Sequence, residues 1–198
     1  MIIRNRMPPW HENFKLMNGR SLLLRPIRPE DASPLKGALE LMGPIELRER
    51  FNTLHFQSNP IESLPLTHPN PKNEIVLVAA ESMAPGEALI AAVAYAAITT
   101  GTRDAQFTIL VSHFVEGQGL SRQFLRKLVK WARGKSLEHL SGELPASHQP
   151  LIELAHSLGF TTHPSEQADS LVSARLELRT QSPSPPSPSP SPSPSPSP

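Results

Sequence analysis

Hydrophobic and polar positions along the chain change period repeatedly, and these changes predict strands and helices in alternation. Apolar residues two apart are typical of strands, whereas apolar residues three and four apart are typical of helices. The sequence predicts a strand, two helices, three strands, a helix, a strand, a helix and a last strand. These elements fall at residues 20–28, 30–42, 44–54, 74–82, 88–98, 105–112, 119–133, 137–144, 149–160 and 170–179. Prolines mark residues 57–72 as a loop, and MAPGE at 83–87 predicts a hairpin turn. The order of the elements favours a sheet covered by helices on both faces.

The change of period is sharpest in residues 107–132, FTILVSHFVEGQGLSRQFLRKLVKWA. An apolar strand leads into Gly117 and Gly119, and a helix follows whose remaining positions are rich in arginine and lysine. Its apolar positions recur at helical spacing: Leu120, Phe124, Leu128, Trp131 and Ala132. A strand, a glycine turn and a helix start suit an anionic ligand, because unpaired backbone N–H groups meet the positive end of the helix dipole there. The basic positions are also those of an ordinary solvated helix surface.

Composition excludes several function classes. The net charge of +1 gives no overall attraction to nucleic acid or to an anionic membrane. The absence of cysteine excludes thiolate nucleophiles and cysteine metal sites, and the eight histidines show no metal-ligand spacing. The longest apolar run, residues 88–98, is shorter than the roughly 18 residues that a membrane span needs. We therefore expect a soluble, cytoplasmic protein that uses no metal, nucleic acid or membrane.

The chain divides into three parts by composition. With 198 residues, 38% of them hydrophobic, it can form one well-buried domain. We expect an N-terminal arm at residues 1–18, the domain at 19–179 and a disordered Ser/Pro tail at 180–198. The tail is interpreted as a spacer, as a ligand for a proline-binding module, or as dispensable repeat sequence.

Three blocks of sequence resemble one enzyme family. They are LRPIRPEDASPL with ELRERF downstream, FTILVSHFVEGQGLSRQFLRKLVKWA, and GELPASHQPLIELAHSLGF. Over residues 19–179 the chain resembles the GNAT superfamily of acyl-CoA N-acyltransferases, most of all the protein lysine acetyltransferases that modify acyl-CoA synthetases. The resemblance implies an α/β fold, α+β in layer terms. Its mixed, mostly antiparallel sheet has helices on both faces and a splayed cofactor cleft.

The resemblance also implies acetyl-CoA as cosubstrate. The family's turn, Q/R-x-x-G-x-G/A, wraps the pyrophosphate of coenzyme A, and its signature positions fall here on Glu116, Gly119 and Ser121. The implied cofactor-binding residues are Ile109, Leu110, Val111, Gly117, Gln118, Gly119, Leu120, Ser121, Arg122 and His148. A carboxylate at Glu116 departs from the pattern. About 6 Å from a phosphate charge, it would cost roughly 2 to 3 kcal/mol at an effective dielectric constant near 20.

A second departure concerns catalysis. Gln106 stands where members resembling this chain carry a glutamate, the general base that removes a proton from the attacking ammonium. An amide cannot accept that proton, and loss of a general base lowers the rate about 10²- to 10⁴-fold. By residue type Glu143, His113 and His148 are candidate substitutes, although each also suits a surface or packing position. Ala155 stands where many members have a tyrosine that acts as the general acid.

These residues leave several functions open. The first is an N-acyltransferase that passes acetyl directly from acetyl-CoA to a protein lysine or a small amine. The second is a catalytically weak or inactive acyl-CoA-binding regulatory module, since Gln106, Glu116 and Ser121 all depart from the family pattern. The third, ranked last, is a structural domain without a cofactor.

Overall fold

One sheet organises the chain, for which the computed structural model describes residues 10–40, 64–81 and 88–178. The eight strands are β1 Glu12–Lys15, β2 Ser21–Pro26, β3 Glu74–Glu81, β4 Ile90–Ile98, β5 Asp104–Val111, β6 His139–Pro145, β7 Thr161–Pro164 and β8 Leu171–Glu177. The helices are α1 Ala32–Glu40, α2 Leu64–Thr67, α3 Leu120–Gly134 and α4 Gln149–Ser157. The strand order is β1-β2-β3-β4-β5-β6-β8-β7. Neighbouring strands are antiparallel except β5 and β6, which are parallel.

Helices lie on both faces because the central strands are apolar on both sides. On β3, Leu77 packs in the core with α3 and α4, whereas Val76 and Val78 pack in a second core with α1 and α2. Strands buried on both faces give nearly continuous apolar runs, as in residues 74–81. In the described part of the chain, no helix is long and apolar enough to cross a membrane.

A buried ion pair fixes the start of α1. Arg25 on β2 donates two hydrogen bonds to the Asp31 carboxylate, at 2.6 and 2.8 Å, and the two residues are only 5% and 1% exposed. The backbone N–H of Arg28 donates to the same carboxylate. Burial raises the pKa of Asp31, but the hydrogen bonds from Arg25 and Arg28 and their positive charges outweigh burial, so this pKa lies below its usual range.

The sheet opens between β5 and β6. These strands pair at only three positions, and the last pair is Gln106 with Ser141. At the next position a Cβ on Gly142 would lie 2.6 Å from the carbonyl oxygen of Phe107. Glycine therefore permits a close approach of the two strands immediately after their last paired position. This opening corresponds to the splayed cleft expected from the sequence.

All six predicted strands are present, and the predicted helices at residues 30–42, 119–133 and 149–160 are confirmed as α1, α3 and α4. Strands β1 and β7 were not predicted, and β1 lies in the expected N-terminal arm. The proline-rich segment of residues 57–72, predicted to be a loop, contains the one-turn helix α2. The predicted helix at residues 44–54, the turn at 83–87 and the Ser/Pro tail lie outside the described residues.

Candidate functional site

The turn before α3 presents backbone N–H groups. Gly117 and Gly119 have φ angles of 71° and 89°, in the left-handed region that glycine adopts at little cost. Gly119 is the N-cap of α3 and supplies no side chain to cap it. Within the described residues, no hydrogen bond satisfies the backbone N–H groups from Gly117 to Arg122. Six adjacent donors at a helix N-terminus favour an anion.

A cavity of about 300 Å³ lies beside this turn. Its walls are the end of β5, the first turn of α3 and the start of α4. Eight of the ten predicted cofactor-binding residues line it: Ile109, Val111, Gly117, Gly119, Leu120, Ser121, Arg122 and His148. Glu116, one of the signature positions, lines it as well, and sequence reasoning missed Val115, Pro150, Leu151 and Leu154. Only the apolar spacing within α4 signalled the last two.

Two side chains of opposite charge, Arg122 and Glu116, line this cavity. Arg122 is exposed and forms no ion pair with any described residue. Glu116 is also exposed and lines the same cavity. An exposed carboxylate interacts through high-dielectric solvent, so its repulsion of an anion at about 6 Å falls to about 0.7 kcal/mol. The departure at Glu116 is therefore milder than the sequence alone suggested.

His148 has a structural task at the cavity wall. Its Nδ1 accepts a hydrogen bond of 3.2 Å from the backbone N–H of Leu151, which makes His148 the N-cap of α4. An accepting Nδ1 carries no proton, so the neutral ring bears its hydrogen on Nε2. His148 thus reaches the cavity as a helix cap whose second nitrogen is a donor.

Two predicted cofactor residues do not line this cavity. Leu110 lies on the opposite face of β5, where it borders a larger cavity of about 640 Å³ beside α1. The side chain of Gln118 accepts a hydrogen bond of 3.0 Å from the backbone N–H of Met17. Gln118 therefore ties the turn to the β1–β2 hairpin.

The candidate catalytic residues divide by position. Gln106 and Glu143 are partly buried and lie on the same sheet face, opposite the core formed with α3 and α4. The Oε2 atom of Glu143 is buried, and no donor in the described part of the chain reaches it. His113 is exposed, borders the larger cavity and stacks near Phe114 with ring centroids 3.8 Å apart. The structure brings together Gln106 and Glu143 but not the histidines.

The chain's only tyrosine, Tyr95, lies on β4. Its hydroxyl donates to Oε1 of Glu74 at 3.3 Å. Burial, and then the negative charge of Glu74, raise the pKa of the Tyr95 phenol. The position expected for the family's tyrosine is Ala155, which is completely buried in the core.

No protein-family model matches this sequence, but solved structures are similar to it. The GNAT domain of S. lividans PAT has 19% identity and a TM-score of 0.67, covering 87% of this chain and all of that one. A GNAT-family acetyltransferase from Streptococcus pneumoniae has 17% identity and a TM-score of 0.57, covering 80% and 99%. A cAMP-binding acyltransferase from Mycobacterium smegmatis has 14% identity and a TM-score of 0.54, covering 89% and 50%. The chain therefore has the GNAT fold, as the sequence blocks predicted.

Proposed function

We propose that this chain is an acyl-CoA-dependent N-acyltransferase that passes an acetyl group from acetyl-CoA directly to an amine, in particular a protein lysine. The observation that carries the proposal is the meeting of two features at one cavity. The six unpaired N–H groups of the turn lie at one side, and β5, whose pairing with β6 ends at Gln106, forms another.

The residues present suit the chemical parts of acetyl-CoA. The N–H groups from Gly117 to Arg122, with the Arg122 guanidinium, match a pyrophosphate. A Cβ at Gly117 would meet nothing within 4 Å, so a phosphate has room to approach there. The apolar side chains of Ile109 and Val111 match the arm between pyrophosphate and thioester. Backbone N–H groups of β5 near Ile109 would stabilise a developing oxyanion.

The solved structures support the activity by their fold and names. The Streptococcus pneumoniae protein and a Staphylococcus aureus neighbour of 19% identity are both acetyltransferases by name. The lysine acceptor rests on the sequence blocks that resemble acetyltransferases of acyl-CoA synthetases. Direct transfer needs no covalent enzyme intermediate, which agrees with a chain that lacks cysteine.

Calorimetry of acetyl-CoA with the full chain tests the binding site. Ser121→Asp is the sharpest variant, because Ser121 lies in the first turn of α3. An aspartate there favours the helix dipole and so preserves folding, but it repels a pyrophosphate. We expect wild-type binding in the micromolar range and a loss of at least about 30-fold in Ser121→Asp.

Glu116→Gln is the matched control of opposite sign. It removes a carboxylate from the same cavity, so we expect binding about threefold tighter, corresponding to about 0.7 kcal/mol. Equal binding by wild type, Ser121→Asp and Glu116→Gln would contradict a pyrophosphate site at this turn.

A catalytically weak or inactive acyl-CoA-binding regulatory module is the alternative, and Gln106 favours it. That module binds acetyl-CoA but transfers acetyl to neither a lysine-rich peptide nor a polyamine. Gln106→Glu then separates the two functions. A large gain in turnover identifies an intact site without a base, whereas no gain in a chain that already turns over identifies a base elsewhere.

A further inference from the structure

We infer that Glu143 is the general base that deprotonates the acceptor amine in place of Gln106. The inference rests on the proposed function and names the residue and the substrate class on which that function depends. Three observations support it: the position of Glu143 in the sheet, its buried oxygen without a partner, and the pairing of nearby Arg175 with Asp104 instead of Glu143.

Parallel pairing places Glu143 beside the reaction cleft. Gln106 pairs with Ser141, so these two residues share a sheet face, and Glu143 is two residues further along β6. Two residues of strand span about 6.6 Å. Glu143 therefore lies on the same sheet face as Gln106, beyond the last position at which β5 and β6 pair. A base there approaches the opening from β6 instead of β5.

The Oε2 atom of Glu143 lacks the partner that a purely structural carboxylate would have. It is buried, and no donor in the described ranges forms a hydrogen bond with it. An unsatisfied buried acceptor is unfavourable, and a carboxylate more so than a neutral group. A ligand that brings an N–H donor would relieve this cost. A buried polar atom without a partner in a folded protein calls for an explanation, and a catalytic role is one such explanation.

The cation closest in register does not neutralise Glu143. Arg175 on β8 pairs with Ser141, and its guanidinium lies 3.9 Å from Oδ2 of Asp104. Asp104 also forms a 2.7 Å contact with Nδ1 of His139. The opposite partner of Glu143 on β8 is Ser173, which is uncharged. Glu143 is thus left to meet an incoming cation, which points to a primary alkylammonium such as a lysine side chain.

The proton and electron balance of the step is simple. Glu143 takes one proton from the acceptor ammonium, and the freed lone pair of nitrogen forms a C–N bond to the thioester carbonyl carbon. The C–S bond breaks, its electron pair stays on sulfur, and a second proton passes from nitrogen to that thiolate. Glu143 then releases its proton to solvent. The products are an N-acyl amide, a free thiol and one proton.

The test measures acetyl-CoA binding and acetyl transfer for wild type, Glu143→Gln, Glu177→Gln and Glu143→Gln with Gln106→Glu. A lysine-rich peptide and a polyamine are the acceptors. Glu177→Gln is the matched control, because Glu177 is an exposed carboxylate on neighbouring β8. We expect Glu143→Gln to bind acetyl-CoA like wild type while kcat falls about 10²- to 10⁴-fold. Glu177→Gln should leave both quantities unchanged, and Gln106→Glu should restore part of the lost kcat.

Each possible result of these assays supports or overturns the role of Glu143. Equal kcat in wild type and Glu143→Gln overturns the inference and leaves the N-acyltransferase intact. A wild type that binds acetyl-CoA without turning over either acceptor rejects the base together with the transferase, and leaves only a binding module. A wild type that does not bind acetyl-CoA overturns the proposed function and the inference with it. A Glu143→Gln variant that loses binding and kcat together gives the residue a structural role, which also overturns the inference.

Discussion

Gly142→Ala should destabilise the protein at the point where β5 and β6 part. A Cβ added at Gly142 would lie 2.6 Å from the carbonyl oxygen of Phe107 and 2.8 and 2.9 Å from two carbons of its ring. Phe107 is only 1% exposed and meets Phe160 edge to face, with ring centroids 5.6 Å apart. The ring therefore has little room to retreat, and no side-chain rotation can move a backbone oxygen.

The expected magnitude follows from these contacts. Overpacking a core costs typically 1 to 3 kcal/mol, and a clash with backbone belongs at the upper end, so we expect a loss of about 3 kcal/mol in the free energy of unfolding. For a domain of this size each kcal/mol shifts Tm by roughly 2 to 4 °C. Gly142→Ala should therefore lower Tm by roughly 6 to 12 °C.

Gly37→Ala makes the same chemical change in α1, where we expect it to stabilise the protein. Gly37 lies inside α1, and a Cβ there would meet nothing within 4 Å. Alanine is favoured over glycine in a helix interior by about 1 kcal/mol. Thermal and urea unfolding of both variants measure the contrast. Equal stability of Gly142→Ala and wild type would refute the close approach of β5 and β6.

The remaining predictions concern two titrating groups. Asp31→Asn should lower the free energy of unfolding by about 3 to 5 kcal/mol in urea at neutral pH, because it leaves the buried Arg25 without its anion. The pKa of Asp31 is lower in the folded state, so its contribution is present above the unfolded pKa and disappears as pH falls through the folded one. The wild type should therefore lose stability in acid more steeply than Asp31→Asn; parallel acid curves would contradict this reasoning. The pKa of Tyr95 is raised in the folded protein. At a pH just above about 10 the native protein should therefore show no tyrosinate absorbance, whereas the urea-unfolded chain should ionise. Identical absorbance titrations of the native and the unfolded protein would contradict the burial of Tyr95.

Long apolar runs explain which strands could be predicted. The central strands β3, β4 and β5 are mostly buried, and their apolar runs are unmistakable in the sequence. The two missed strands, β1 and β7, are the outermost strands of the sheet. Both are four residues long and partly or fully exposed, so their sequences ENFK and TTHP show no apolar face. Each forms by pairing with the strand that follows it in the chain, and no apolar pattern within its own four residues encodes that pairing.

The cavity beside α3 could be predicted only in part for a similar reason. Gly117 and Gly119 announce the turn, because a left-handed φ favours glycine. Val115 and Pro150 join the cavity through the packing of α4 beside the turn, which no local pattern encodes. For Gln118 the local sequence predicts the wrong contact. Its place in the turn predicts a ligand contact, yet its side chain binds the backbone of Met17 in a segment 101 residues away.

The proposed role of Glu143 as base depends on the register between β5 and β6. Residue type made Glu143 one candidate among three, and nothing in the sequence separated it from His113 and His148. Parallel pairing separates them, because it sets Ser141 opposite Gln106 and so carries Glu143 onto the same face at the opening. A shift of one residue in that pairing would turn Glu143 into the core with Leu140 and Leu144. The close contact that Gly142 allows with Phe107 opposes such a shift. The same glycine that brings the strands together therefore helps to hold the carboxylate on the face from which, in the proposed reaction, the amine approaches.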